Sequence, residues 1–320
     1  MTRVAAITGA SGFVGSHVTS AFTEAGWRCR VLARRDAALP QVTGEIVIGD
    51  LGEPSALRRL VAGADAVVHV AGLTASRDPA AFERVNVHGT SAIVDAWERE
   101  AREAPFVLVS SLAAREPAIS PYAASKRRSE TVLADCGGRW CVLRPAAVYG
   151  PRDAATLALF RMACAPWQPI LGPEDARLCL IHAEDLADAI VAAAQRAPSG
   201  ATWEVSDERL SGYSWREMAS LLASTMGRTP RPVALPRRLV DWLGVAAECL
   251  PMARKLIGPL SRDKIRELRH QDWSSCADAQ PPSAIWMPQL SLAEGFERTV
   301  SALETARVIK RRQPALRPGA

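Results

Sequence analysis

The 320-residue sequence predicts an α/β fold: a doubly wound parallel sheet with a smaller, discontinuous C-terminal lobe. Three observations carry this. The chain opens on a short apolar run that ends in a glycine loop and passes directly into a helical pattern. Apolar runs of strand length then alternate with helical segments of ten or more residues, the signature of a parallel sheet covered on both faces. Finally, 320 residues exceed what one core holds, so a second lobe is expected.

The elements follow in order. Residues 3–9 (RVAAITG) read as the first strand, and residues 14–25 as a helix with Val14, Val18 and Phe22 on one face, stopped by Gly26. CRVLA (29–33) and IVIGD (46–50) are the next strands. A helix from Ser55 to Ala62, the run DAVVHVAG (65–72) and a long helix from Ala80 to Glu103 come next. PFVLVSS (105–111), a helix from Pro121 to Ala134 and RWCVLRPAAVYG (139–150) complete a nucleotide-binding-type domain over residues 1–150. After Gly150 strands thin out, prolines increase, and six of the nine tryptophans lie between Trp167 and Trp286. Residues 151–305 are therefore assigned to a second lobe, with 179–206 returning to the first domain as a strand and helix. Residues 306–320 form a basic tail, expected to be solvated and frayed.

Composition narrows the function. With 48% apolar and 23% charged residues the chain is an ordinary globular one. The formal charge of +5 matches Arg307, Lys310, Arg311, Arg312 and Arg317 in the tail, so the body is neutral and nucleic acid is not an expected partner. Seven cysteines without a CxxC or Cys/His cluster read as reduced thiols and exclude a zinc site. With no leader-like start and no long apolar run, a cytoplasmic protein is expected.

The chemistry-bearing residues sit at strand ends. Thr8-Gly9-Ala10-Ser11-Gly12-Phe13-Val14-Gly15 joins the first strand to the first helix, where backbone amides and the helix dipole hold a pyrophosphate. Gly9 permits the tight turn, Gly12 the approach of the phosphate, and Gly15 close packing of helix on strand. This is the Rossmann-type arrangement. At the second strand's end, where an acid would select NAD, the chain has Arg34 and Arg35, which favour the 2′-phosphate of NADP; NAD(H) is the less favoured cofactor. Asp50 and Leu51 end the third strand beside the adenine position, and Val70, Ala71 and Gly72 end the fourth with small residues. His69, pointing from a buried strand, reads as a core residue. Ser111 ends the fifth strand. Tyr122 and Lys126, four residues apart, share a helical face. A cation beside a phenol stabilises the phenolate, and a serine hydroxyl can donate to a carbonyl oxygen as charge develops there.

TGASGFVG, Asp50-Leu51, HVAG, Asn86-Val87-His88-Gly89-Thr90, the serines at 110–111, YAASK and RPAAVYGP (144–151) together resemble the extended short-chain dehydrogenase/reductase family, as do LIHAEDLADAI (180–190) and LSLAEGFERTV (290–300). The resemblance implies Ser111, Tyr122 and Lys126 as a catalytic triad, Gly9, Gly12, Gly15, Arg34 and Asp50 as cofactor contacts, Asn86 at the cofactor cleft, and Pro145 and Val148 near the nicotinamide. The chain departs from the sugar-nucleotide members after Ser111: Leu112-Ala113 replace the SSxxVYG pattern and the acid pair that dehydratases need. An NADP(H)-dependent ketone/alcohol oxidoreductase acting on a bulky apolar small molecule is therefore the leading expectation. A sugar-nucleotide epimerase is the alternative, and a non-catalytic NADP-binding protein the third reading. The chain is expected to be a monomer or homodimer. Residues 235–260, apolar with Arg237, Arg238, Arg254 and Lys255 at the flanks, read as a core helix, a substrate lid or a peripheral membrane contact.

Overall fold

The computed structural model describes residues 2–34, 44–170, 172–229, 231–249, 262–309 and 311. Val4–Thr8 (β1), Arg28–Ala33 (β2), Gly44–Ile48 (β3), Ala66–His69 (β4), Phe106–Val109 (β5) and Trp140–Pro145 (β6) lie in one seven-stranded sheet, completed by β11 (Ala201–Val205). The order β11-β6-β5-β4-β1-β2-β3 reverses direction at β1, and the registered strand pairs are parallel. In such a sheet the crevice between the outward-running halves opens at the carboxyl ends of β1 and β4, the place where ligands bind.

The apolar runs become strands because both their faces are covered: β4 and β5 are buried at every residue. Helices α2 (Pro54–Val61), α4 (Gly89–Glu100) and α5 (Pro121–Ala134) share one core, in which Leu57, Leu60, Ile93, Trp97 and Leu133 pack on Phe106, Leu108 and Val142. Trp97 keeps its indole N–H satisfied by donating to the Ala104 carbonyl at 2.8 Å. On the opposite face α1 (Phe13–Glu24) packs against α7 (Ala183–Arg196).

The helix read from Ala80 to Glu103 is a composite. A short turn, α3 (Pro79–Phe82), is capped by the Asp78 carboxylate and runs into a π-helical segment over Glu83–His88 before α4 begins. The strand expected at 46–50 lies at Gly44–Ile48, and the strand at 105–111 stops at Val109, releasing both serines into the loop.

The chain divides into two compact units. The first comprises residues 1–148, 183–206 and 275–289; the second comprises 149–182, 207–274 and 290–320. Residues 275–289, read with the second lobe, pack with the first unit because polar groups there seek its partners. The Ser275 hydroxyl donates to Glu204 at 2.5 Å, the Arg196 guanidinium donates to the carbonyls of Ala284 and Ile285, and the Gln289 amide donates to Asp185.

In the second unit α6 (Ala154–Ala163), α8 (Trp215–Thr225) and the helix Leu292–Thr305 pack with short parallel strand pairs: β8 (Gln168–Ile170) with β12 (Pro232–Ala234), and β9 (Arg177–Leu178) with β13 (Asp272–Trp273). Complete capping boxes, Ser214/Glu217 and Ser291/Glu294, start α8 and the last helix. Tyr149, His182, Phe160 and Phe296 form an edge-to-face aromatic chain with centroids 5.1–5.5 Å apart. Residues 237–249 of the apolar segment form helix α9 (Arg237–Cys249), while 250–261 lie outside the described residues. Of the basic tail, Arg311 is not a free cation: it pairs with Glu297 at 2.5 Å and Glu304 at 3.1 Å on the last helix.

Candidate active site

Thr8 ends β1 and Gly9 turns the chain with φ +78°, where a Cβ would stand 2.6 Å from the Ala71 amide nitrogen. The loop therefore lies against the segment leaving β4, as the sequence predicts for a close approach. A Cβ on Gly15 would meet the Gly9 carbonyl oxygen at 2.0 Å, so α1 packs directly on the loop. Gly12, in an extended conformation, is the N-cap of α1 and its amide donates to the Gly9 carbonyl at 2.9 Å. No side chain caps α1 and no acid occupies its first turn. Ser11 and Gly12 are exposed, Phe13 and Val14 half-buried. A helix N-terminus with open donors, positive dipole and no competing carboxylate fits a pyrophosphate.

The crevice wall is tied across the strands. Thr8 Oγ1 lies 2.7 Å from His69 Nδ1 and accepts from the Ala71 amide at 3.2 Å. Burial, aided by the Lys126 charge, pushes His69 down to about 3, so its imidazole is neutral at physiological pH and serves as a strut between β1 and β4. Val70 and Ala71 are half-buried, and Gly72 is exposed.

Beyond β5 the serines separate in role. Ser111 caps a 3-10 turn, Leu112–Arg115, its Oγ accepting from the Ala113 amide at 3.2 Å, which leaves the hydroxyl proton free to be donated elsewhere. Ser120 caps α5, accepting from the Ala123 amide at 3.1 Å, and Pro121 occupies the first turn. Tyr122 thus stands in the first turn, half-buried, its ring 6.1 Å from that of Phe82, and Lys126 follows one turn later. Lys126 is 6% exposed and its Nζ donates to the Val109 carbonyl at 2.9 Å. Desolvation lowers it from the ordinary 10.5 to about 8, the Glu130 charge opposing that fall. It remains an ammonium at neutral pH.

Gly72, Asn86 and Lys126 meet: a Cβ on Gly72 would stand 3.2 Å from Lys126 Nζ and 3.3 Å from Asn86 Oδ1. The Asn86 amide side chain accepts from the Leu73 N–H at 2.7 Å and donates to the Leu73 carbonyl and to Ser125 Oγ at 3.0 and 2.9 Å. Its own carbonyl accepts from the Thr90 and Ser129 hydroxyls. Asn86 therefore straps the segment after β4 to α5, and the carbonyl that takes these hydroxyls also accepts the Gly89 N–H at the end of the π-helical turn.

Sequence reading missed the support beneath this site. The Glu130 carboxylate, buried, accepts from the Ser110 hydroxyl at 2.5 Å and from Arg144 Nε and Nη2 at 2.9 and 2.6 Å. Two signals were available: Glu130 follows Lys126 by four on one helix face, and a charged Arg144 inside an apolar central strand demands a partner. Glu204, on the neighbouring β11, holds Arg115 at 3.5 Å and adds to the acidic environment that raises Arg144.

The remaining predicted contacts are placed as follows. Pro145, buried, ends β6, and Val148 is half-buried in β7 (Ala147–Tyr149). The Asp50 carboxylate turns back on its own loop, accepting from the Gly52 amide at 2.7 Å, while Leu51 packs over Gly89. Arg34 stands exposed just past β2; Arg35 lies outside the described residues. Among the described residues no cluster of His, Cys, Asp or Glu is suited to a metal, and no helix is long and apolar enough to cross a membrane.

The model of the NAD dependent epimerase/dehydratase family matches residues 5–206, which contain the glycine loop, Asn86, Ser111, Tyr122 and Lys126. The chain belongs to this family. Among curated relatives, a ceramide reductase of Caulobacter vibrioides is 41% identical over 302 residues, 93% of each chain. A 2-alkyl-3-oxoalkanoate reductase of Stenotrophomonas maltophilia is 27% identical over 322 residues, 91% of this chain and 97% of the other. Among solved structures, UDP-glucose 4-epimerase of Thermotoga maritima with UDP-glucose superposes with a TM-score of 0.72 at 19% identity, covering 96% of this chain and all of that one. As an epimerase/dehydratase family member in the extended short-chain dehydrogenase/reductase class, the chain has the chemistry of an NAD(P)-dependent oxidoreductase or epimerase.

Proposed function

We propose that the protein is an NADP(H)-dependent reductase that converts a ketone on a long-chain, ceramide-like lipid into the secondary alcohol. The observation that carries this reading is the 41% identity, end to end, with a ceramide reductase. It is supported by the second relative, whose name also describes a ketone flanked by alkyl chain, and by Leu112 and Ala113 following Ser111, where elimination chemistry would need acids.

In this reading the uncapped N-terminus of α1 and the Gly9–Gly15 loop hold the pyrophosphate, with Ser11, Phe13 and Val14 beside it. Val70, Ala71 and Gly72 line the nicotinamide side of the crevice, together with Asn86, Pro145 and Val148. Asp50 and Leu51 border the adenine, and Arg34, exposed just past β2, takes the 2′-phosphate, where a guanidinium binds a dianion bidentately. A bound reduced nicotinamide supplies a hydride to the carbonyl carbon. As the oxygen gains charge, the Ser111 hydroxyl donates a hydrogen bond to it and the Tyr122 phenol transfers its proton, leaving a C–H and an O–H bond where the C=O π bond was. The Lys126 ammonium stabilises the transient phenolate, which regains a proton from solvent.

The test is NADPH oxidation with a detergent-solubilised N-acyl amino-ketone lipid, with UDP-glucose as the competing substrate. Tyr122→Phe should abolish lipid reduction while NADPH affinity stays within a few-fold. Epimerisation of UDP-glucose, which consumes no NADPH and is read as the epimeric sugar nucleotide formed, with no response to the lipid ketone, or a fully active Tyr122→Phe, would overturn the reading. Arg34→Asp should weaken NADPH binding by about 1.5–3 kcal/mol, the scale of a charge-assisted hydrogen bond, and NADH far less.

A further inference from the structure

Large apolar side chains exposed singly need no explanation, but a cluster of them does. Of the seven such side chains among the described residues, four are Trp167, Val233, Leu239 and Trp242, all in the second unit. Two of their segments pair as strands, and the third follows directly in sequence. Trp167 leads into β8 and Val233 lies in β12, which pairs with it, the Gln168 amide donating to the Arg231 carbonyl at 2.9 Å. The chain then turns at Pro236 into α9, whose first turns present Leu239 and Trp242, three residues apart and so on one face. Val240, between them in sequence, is buried at 3% exposure while Trp242 is 61% exposed, so the helix is anchored by one side and offers the other to solvent.

Basic residues outnumber acidic ones in this segment. Between residues 228 and 249 the sequence carries Arg228, Arg231, Arg237 and Arg238 against Asp241, which is paired with Arg269, and Glu248. Arg231 and Arg238 are exposed. Tryptophan and leucine beside arginines match the boundary between acyl chains and headgroups, where an indole lies half in each phase and a guanidinium meets phosphate. Among the described residues no helix is long and apolar enough to cross a bilayer, and the described part of α9 runs over 13 residues.

We propose that this face, Trp167, Arg231, Val233, Arg238, Leu239 and Trp242, docks the protein on the surface of a bilayer containing anionic phospholipid. The inference goes beyond the reductase reading and stands on its own observations; a surface-bound enzyme would meet a lipid substrate where it resides.

Co-sedimentation of the full chain with sucrose-loaded phosphatidylcholine vesicles, with and without phosphatidylglycerol, tests it in the absence of dinucleotide and ketone. Binding should require phosphatidylglycerol and fall as salt is raised. Arg231→Gln with Arg238→Gln should lower the partition coefficient about twenty-five-fold, from about fivefold per arginine near a charged surface. Leu239→Ser with Trp242→Ser should lower it about tenfold through lost apolar burial. Met287→Ser, at an exposed apolar residue outside the cluster, should leave it unchanged. The four cluster positions are exposed, so both double variants should melt with the wild type; should the serine pair fail to fold, the arginine pair decides. Absence of phosphatidylglycerol-dependent sedimentation, or variants that sediment as the wild type does, would overturn the proposal. So would light scattering showing a dimer that Leu239→Ser with Trp242→Ser converts to monomer with vesicle binding intact, since a second copy would then cover the face. Lipid-ketone reduction in detergent without vesicle binding would refute the surface and spare the reductase reading; vesicle binding without reduction would do the reverse.

Discussion

Replacing Lys126 by Met should stabilise the protein near neutrality while removing the cation on which the proposed chemistry depends. Desolvation holds the Lys126 ammonium at about 8, below its ordinary 10.5. Between these values the unfolded chain binds a proton that the folded chain does not, so stability rises with pH across the window and the full cost is felt below it. A displacement of that size opposes folding by about 3 kcal/mol at about pH 7. The Met variant also takes a donor from the Val109 carbonyl, worth about 1 kcal/mol. The variant should therefore be about 2 kcal/mol more stable than the wild type near pH 7 and should lose that advantage by about pH 10. Urea unfolding of both proteins at several pH values, followed by tryptophan fluorescence without dinucleotide, measures the difference, in which titrating groups that do not interact with Lys126 cancel. A Met variant less stable than the wild type at neutrality, or a difference that does not change with pH, would refute the account of Lys126 as a charge held against its solvation.

Glu130→Ala should cost about 3 kcal/mol of stability, because it strands the half-buried Arg144 guanidinium and the buried Ser110 hydroxyl together, and Glu130→Gln should cost less; denaturation midpoints compare them, and a loss below about 1 kcal/mol for Ala would dismiss the network. Gly15→Ala should lower the melting temperature by several degrees, since its Cβ would press to 2.0 Å on the Gly9 carbonyl, whereas Gly12→Ala at 3.2 Å should leave the fold intact; equal shifts would show that the loop yields.

Local pattern determined the first unit. Strand, glycine loop and helix follow from residues 3–25 because apolar runs, helical periodicity and glycine's access to positive φ are properties of neighbours in sequence. The same holds for α5, where Ser120 and Pro121 announce the start and the spacing of Tyr122 and Lys126 sets one helical face. Alternation likewise predicts a parallel sheet covered on both faces, whereas the strand order that reverses at β1 is decided by the tertiary pairing.

What the tertiary structure alone decided are pairings between residues distant in sequence. That Asn86 would strap Leu73 to Ser125, that Glu130 would carry Ser110 and Arg144, and that Lys126 would donate to Val109 depend on which strand ends stand side by side. The π-helical turn at Glu83–His88 stands where local pattern reads straight helix. The return of residues 275–289 to the first unit likewise rests on Glu204, Arg196 and Asp185 reaching them across some 70–100 residues. In the second unit the sequence marks an apolar segment at 235–260 but cannot say which apolar residues find a neighbour; packing buried Val240 and left Trp242 and Leu239 facing water. A residue's type sets what its burial is worth, while the competition among all the chain's segments for the same interior decides which residues are buried.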